Sequence, residues 1–207
     1  MSYVCDRIAM ISICVGLLAA GGCASSPASR FYILSGVGAS DDSSHSAARK
    51  DGIAVGIEPV KLPHYLDRPQ IVTRAGPNRI RLAEFDRWAE PLKHNVSRVM
   101  AENLSALLSA ERTAVFPWSS STAPEYRLAV EITRFDGELG GEVALKARWT
   151  IFGRDARDAL LRRESSYVET AAGPDYEALV AAKSRALAAL SREIATAIGT
   201  VLSEPAS

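Results

Sequence analysis

The stretch that decides the fold is YRLAVEITRFDGELGGEVALKARWTIF, residues 126–152. Tyr126, Leu128, Val130 and Ile132 alternate with Arg127, Glu131 and Thr133. Val143, Leu145, Ala147, Trp149 and Ile151 then alternate with Lys146, Arg148 and Thr150. Successive side chains on a strand point to opposite faces, so each run describes a strand with one buried face. The link, Asp136–Gly141, carries Gly137, Gly140 and Gly141, which makes the pair a hairpin. The same glycines have the composition of a phosphate loop, but the strands on both sides favour a turn.

Outward from this hairpin, residues 160–170 read as a returning antiparallel strand, more polar and so nearer a sheet edge. Upstream, Ile53, Val55 and Ile57 alternate with Ala54, Gly56 and Glu58. Ile71 to Leu82 reads as two short strands around a turn at Gly76-Pro77-Asn78. A helix is expected over residues 89–109, with Pro91 near its first turn, where a missing N–H costs little. Leu92, Val96, Val99, Met100, Leu104, Leu107 and Leu108 share its apolar face. A second helix, residues 175–202, follows Gly173-Pro174-Asp175. Tyr176, Leu179, Val180, Leu187, Leu190, Ile194, Ile198 and Val201 form its stripe. Strands, helix, strands, helix, without a βαβ alternation, predict an α+β domain over residues 53–203: a mostly antiparallel sheet packed by two amphipathic helices.

The N-terminus reads differently. Residues 8–20, IAMISICVGLLAA, carry no charge. The run is shorter than the roughly 20 residues a spanning helix needs, but it suits the core of a secretory signal. Ala20-Gly21-Gly22-Cys23 then resembles a bacterial lipobox, with Ala20 where leucine is commonest. Residues 1–22 are therefore expected to be a lipoprotein signal peptide, and Cys23 the lipidated residue. Cys5 and Cys14 leave with the signal, so no thiol or disulfide remains in the mature chain. The covalent lipid is the only prosthetic group expected. Ala24 in place of aspartate after the cysteine points to outer-membrane sorting. Residues 23–52 are rich in small and polar side chains and read as a tether, with a short strand near 31–34, Phe31-Tyr32-Ile33-Leu34.

Lys plus Arg and Asp plus Glu number 24 each, and removing Asp6 and Arg7 with the signal leaves the balance at zero. A neutral chain lacks the cationic surface of a general nucleic-acid binder. His45, His64 and His94 have no metal-ligand spacing, and no Walker loop, GxGxxG or GxSxG is present. Glu84, Asp86 and Glu90 read as surface acids beside Arg81 and Arg87. No catalytic residues and no metal site are expected.

The distinctive segment is Tyr65-Leu66-Asp67-Arg68-Pro69-Gln70, followed by Arg87-Trp88-Ala89-Glu90-Pro91. Asp67 beside Arg68 is expected to form a local ion pair and to cap a turn before Pro69. Tyr65 and Trp88 are of the types enriched at binding hot spots. Packing of Trp88 on the sheet is the competing reading, and the two are compatible.

YLDRPQIV, RLAEFDRWAEPL, RVMAENLSALL and RFDGELGGEVALKARWTI together resemble the PqiC/YmbA family of ABC-type transport auxiliary lipoproteins. The resemblance spans roughly residues 23–200. It implies a non-catalytic domain anchored on the periplasmic face of the outer membrane. The implied partners are an MCE-domain tunnel protein, its inner-membrane permease and outer-membrane lipid, and the resemblance is compatible with a homo-oligomeric ring. A lipid-carrying lipoprotein is the alternative, followed by an envelope hydrolase.

Overall fold

The hairpin singled out in the sequence forms inner strands of the larger sheet. β6 (Tyr126–Gly137) and β7 (Glu142–Phe152) pair antiparallel from Arg127↔Phe152 to Gly137↔Val143. Leu128, Val130 and Ile132 are buried, and so are Val143, Leu145, Ala147, Trp149 and Ile151. A bulge between Ile132 and Arg134 shifts the phase by one residue, so that Phe135 enters the core. The strand runs on through Asp136 and Gly137, and the turn is confined to residues 138–141, shorter than the expected link.

The computed structural model describes residues 27–36, 54–108, 112–118, 123–153 and 159–203. The signal segment, Cys23, residues 24–26 and 37–52 of the expected tether, and Ile53 at the expected start of the domain lie outside the described residues.

The remaining elements are β1 (Arg30–Tyr32), β2 (Ala54–Ile57), β3 (Gln70–Arg74), β4 (Ile80–Trp88), α1 (Leu92–Leu108), β5 (Arg112–Val115), β8 (Ala159–Thr170) and α2 (Tyr176–Ser203). They form an α+β fold with two sheets. The larger has the order β5-β2-β6-β7-β8, and the smaller β1-β4-β3. β3–β4, β6–β7 and β7–β8 are antiparallel; β1–β4, β2–β5 and β2–β6 are parallel. The division into two sheets was not legible in the sequence, because parallel pairing joins segments that no short turn connects.

β2 shows why alternation alone misleads. All four of its residues are buried, Ala54 and Gly56 included. It lies between β5 and β6, and a side chain on Gly56 would meet Pro124 and Trp118. β8 sits at the sheet edge, as its polarity predicted. Trp149, 1% exposed, donates its indole N–H to Ser165 Oγ on β8 at 2.9 Å.

α2 lies across β7 and β8 and packs beside α1. Asp175 caps it: its Oδ1 accepts from Ala178 N at 2.8 Å. Leu179, Leu187, Leu190, Ile194 and Ile198 are buried, so a helix long and apolar enough to cross a membrane is spent on the core. Val96, Val99, Met100 and Leu104 of α1 complete the core.

Candidate functional site

The two motif segments become neighbours through backbone pairing. Gln70 lies opposite Arg87, and Trp88 N donates to Pro69 O at 2.8 Å. Leu66 is 2% and Trp88 5% exposed, so these two anchor the segment in the core and the packing reading holds for Trp88. What faces outward is a groove of about 460 Å3 lined by Asp67, Arg68, Pro69, Glu90, Pro91 and His94. Glu90, Lys93 and His94 also line a second groove, of about 970 Å3, that runs along α1 to Val115 and Phe116.

Asp67 does not pair with Arg68. Its carboxylate meets Lys93 at 3.5 Å, and the turn is closed by backbone carbonyls: Pro63 O accepts from Leu66 N and His64 O from Asp67 N. Adjacent residues on an irregular segment point apart, whereas the first turn of α1 brings Lys93 to the carboxylate. Glu90 accepts from Arg98 Nε at 3.2 Å, and Arg98 also holds Glu102 at 2.7 Å. Arg68 Nε and Arg87 Nε are covered and have no hydrogen-bond partner among the described residues.

Behind this rim lies a buried ionic cluster that the sequence reading missed. Asp136, fully buried, accepts from Tyr65 OH at 2.6 Å, from Arg74 Nε and Nη2 at 2.9 Å, and from Arg134 Nε at 2.9 Å. Burial alone would raise its carboxyl pKa. The hydrogen bonds from Arg74, Tyr65 and Arg134 outweigh burial and hold it down at about 2. Tyr65, pushed up to about 12 by burial and by donating to Asp136, stays neutral. The motif tyrosine is thus tied to the hairpin motif.

Lys183, 1% exposed on α2, donates to Phe135 O at 2.5 Å. Its ammonium lies 4.5 Å from the centre of the Phe135 ring and 5.9 Å from that of Trp88. Burial lowers its pKa to about 8, against the opposing pull of Asp136. Residues 176, 180, 183, 187 and 190 recur at helical spacing, so a lysine on the apolar stripe was the available signal.

Asp86 corrects the reading of surface acids. It is 4% exposed; Arg30 grips it at 2.7 and 3.0 Å, and Tyr32 OH donates to it at 2.8 Å. Arg30 stands 56 residues earlier, which hid the pair from local inspection. β1 is docked further by Leu34 N donating to Asn95 Oδ1 and Ser35 N to Ser184 Oγ, both at 3.1 Å. The strand expected near 31–34 lies at Arg30–Tyr32, and Leu34 and Ser35 just after it tie the N-terminal segment to both helices. Among the described residues no cluster of three or more His, Cys, Asp or Glu is placed to hold a metal.

The fold recurs among solved structures. A Xanthomonas campestris protein, XCC0632, matches with TM-score 0.68 and 14% identity over 84% of this chain and 96% of its own. A crystal structure of an uncharacterized protein matches with TM-score 0.66 and 21% identity over 83% of this chain and 99% of its own. These define the class as a small two-sheet α+β domain. Residues 32–195 match the model of the ABC-type transport auxiliary lipoprotein component, and the chain belongs to that family. The intermembrane transport lipoprotein PqiC of Escherichia coli is 26% identical over 106 residues, 51% of this chain. The match spans about half, 55%, of that relative's length.

Proposed function

We propose that the chain is a non-catalytic docking lipoprotein of an MCE-type lipid transport system, held by lipid on Cys23 at the periplasmic face of the outer membrane. Its partners are an MCE-domain tunnel protein and, through it, an inner-membrane permease. The observation that carries this reading is the motif rim. Residues 65–70 and 87–91 frame one outward groove, and the Tyr65–Asp136 hydrogen bond fixes that groove to the rigid hairpin. A prepositioned surface loses little freedom on binding. A lipid anchor also keeps it near any partner that reaches the membrane, which raises the effective concentration for a second, weaker contact. The name of the Escherichia coli relative, an intermembrane transport lipoprotein, supports the transport role.

Pull-down of the full chain from detergent-solubilised envelope tests the reading. An MCE-domain protein is expected in the eluate, reduced at least tenfold by Arg68→Glu with Glu90→Arg. Its absence from the wild-type eluate overturns the reading.

The larger groove favours a second reading, a lipid carrier. Val60, Ala101, Val115 and Phe116 give it an apolar wall, with Lys61 and Lys93 at its rim. Extraction of close to one phospholipid per chain from purified monomer favours the carrier over the docking module.

A further inference from the structure

The direction of β1 fixes which end of the domain meets the bilayer. β1 runs parallel to β4, with Arg30 beside Asp86 and Tyr32 beside Trp88. A chain entering a parallel ladder arrives from the side on which its neighbour begins. The neighbour begins at Ile80, at the tip of the β3–β4 hairpin. From Asp86 back to Ile80 is six residues of strand, about 20 Å at roughly 3.3 Å per residue. From Arg30 back to Cys23 is seven residues, at most about 25 Å when extended. Cys23 and the hairpin tip thus lie within reach of the same plane.

The hairpin has the chemistry of a membrane contact. Residues 69–83 contain Arg74, Arg79 and Arg81 and no acid. Arg74 is committed to Asp136, while Arg79 and Arg81 are exposed and form no ion pair among the described residues. Ile80 and Leu82, between and beside them, are 40% and 42% exposed. The three arginines line a cleft of about 350 Å3, with Glu138 at its edge. The turn is braced, because Ala75 N donates to Arg79 O and Arg74 Nη1 to Pro77 O, both at 2.9 Å.

We propose that the β3–β4 hairpin is a second membrane contact, seating Arg79 and Arg81 on lipid phosphates and Ile80 and Leu82 at the acyl boundary. This rests on lipidation of Cys23, which brings the hairpin end to the surface. Arginines supply the charge attraction to anionic headgroups, and the flanking apolar side chains supply interfacial burial. The domain is then held at two points with its motif rim in a set orientation, instead of swinging on one leash.

The test is site-specific photocrosslinking of the full chain in intact envelope, with p-benzoylphenylalanine at Leu82 and, as control, at the exposed Leu160 of the sheet-edge strand. The mass of the mature N-terminus is read on the same sample. The Leu82 position is expected to yield a one-phospholipid adduct and Leu160 none. Arg79→Glu with Arg81→Glu is expected to cut the Leu82 adduct at least tenfold, in keeping with roughly 1 kcal/mol per cationic contact. These residues are exposed, so folding is preserved, and an unchanged melting temperature checks it. A lipidated terminus without a lipid adduct, or with a protein adduct at Leu82, overturns the contact and leaves the anchor standing. An unmodified Cys23 overturns both.

Discussion

Lys183 Nζ donates to the carbonyl of Phe135 at 2.5 Å, from the third turn of α2 into the bulged end of β6. The helix thus delivers a cation to the point where the hairpin leaves regular alternation. Its pKa, lowered to about 8 by burial, lies below that of an unfolded lysine near 10.4. Between these values the unfolded chain binds a proton that the folded chain does not, so stability rises with pH. The gain is on the order of 3 kcal/mol between pH 8 and 10. Above pH 10 it is opposed by Tyr32 and Tyr65, both pushed up to about 12 by burial and by donating to carboxylates, because the unfolded chain ionises first. Melting temperature followed by circular dichroism should therefore climb from pH 8 and turn over above 10. Lys183→Met should remove the climb and keep or raise stability at pH 7, since an apolar chain of similar length replaces a buried charge. A climb that persists in the variant would refute the assignment.

Asp136 carries the opposite dependence. Its carboxyl is held at about 2, below the usual carboxylate value near 3.9. The stability this provides is present above pH 4 and drains away as pH falls toward 2. Asp136→Asn keeps the shape and removes the charge, leaving Arg74 and Arg134 without their anion. A loss of about 3–5 kcal/mol is expected at pH 7, together with a flatter acid limb. Urea unfolding at pH 7 and at pH 3 measures both, and a loss that is equal at the two pH values would contradict the linkage.

Gly137 closes the β6–β7 ladder at its turn. A Cβ there would stand 2.3 Å from Glu142 O and 2.7 Å from Val143 Cα, both backbone atoms of the partner strand. Gly137→Ala must open the ladder and should cost about 1–3 kcal/mol, as overpacking does. A urea midpoint equal to that of wild type would show that the hairpin end yields freely.

These cases show where the sequence was informative. Val143, Leu145, Ala147, Trp149 and Ile151 recur at every second position and are buried in the fold, because an antiparallel strand with one covered face must repeat every second residue. The apolar stripes of both helices were legible for the same reason. The bulge at Ile132 to Arg134 was not, since one inserted residue leaves no compositional mark. β5 went unseen because its only apolar residues, Ala114 and Val115, are adjacent and show no alternation. In the candidate site, Tyr65–Gln70 and Arg87–Pro91 stood out as segments, and antiparallel pairing made them adjacent. The Arg30–Asp86 and Tyr65–Asp136 contacts span 56 and 71 residues, and no local pattern announces such partners.

The clamp on β1 makes its own prediction. Asn95 is buried on α1 and accepts from Leu34 N. Asn95→Ala leaves that buried N–H without a partner, at a cost of about 1–3 kcal/mol. The loss should be local as well as global. Amide exchange in residues 31–35 should accelerate more than in β6 or β7, because the segment is held at few points. Asp67→Ala offers the contrast: its exposed pair with Lys93 should contribute under about 1 kcal/mol. Uniform acceleration across the domain in the Asn95 variant would mean that β1 opens only with the whole fold.

Cys23 is the expected point of lipid attachment. If several acyl chains are joined there, each buried methylene contributes about 0.8 kcal/mol, and more than one chain holds the protein at the membrane durably. Cys23→Ala should leave a domain whose melting temperature equals that of wild type, because the cysteine precedes the first strand, β1, which begins at Arg30. Its distribution between membrane and soluble fractions should shift toward the soluble side in high salt, where the Arg79 and Arg81 contact is screened as well. At low salt a fraction should remain bound through the hairpin. The same salt series on the wild type should show no release. Full membrane retention of the variant in high salt would place the anchor elsewhere in the chain. Complete release even at low salt would leave the anchor on Cys23 and remove the hairpin contact.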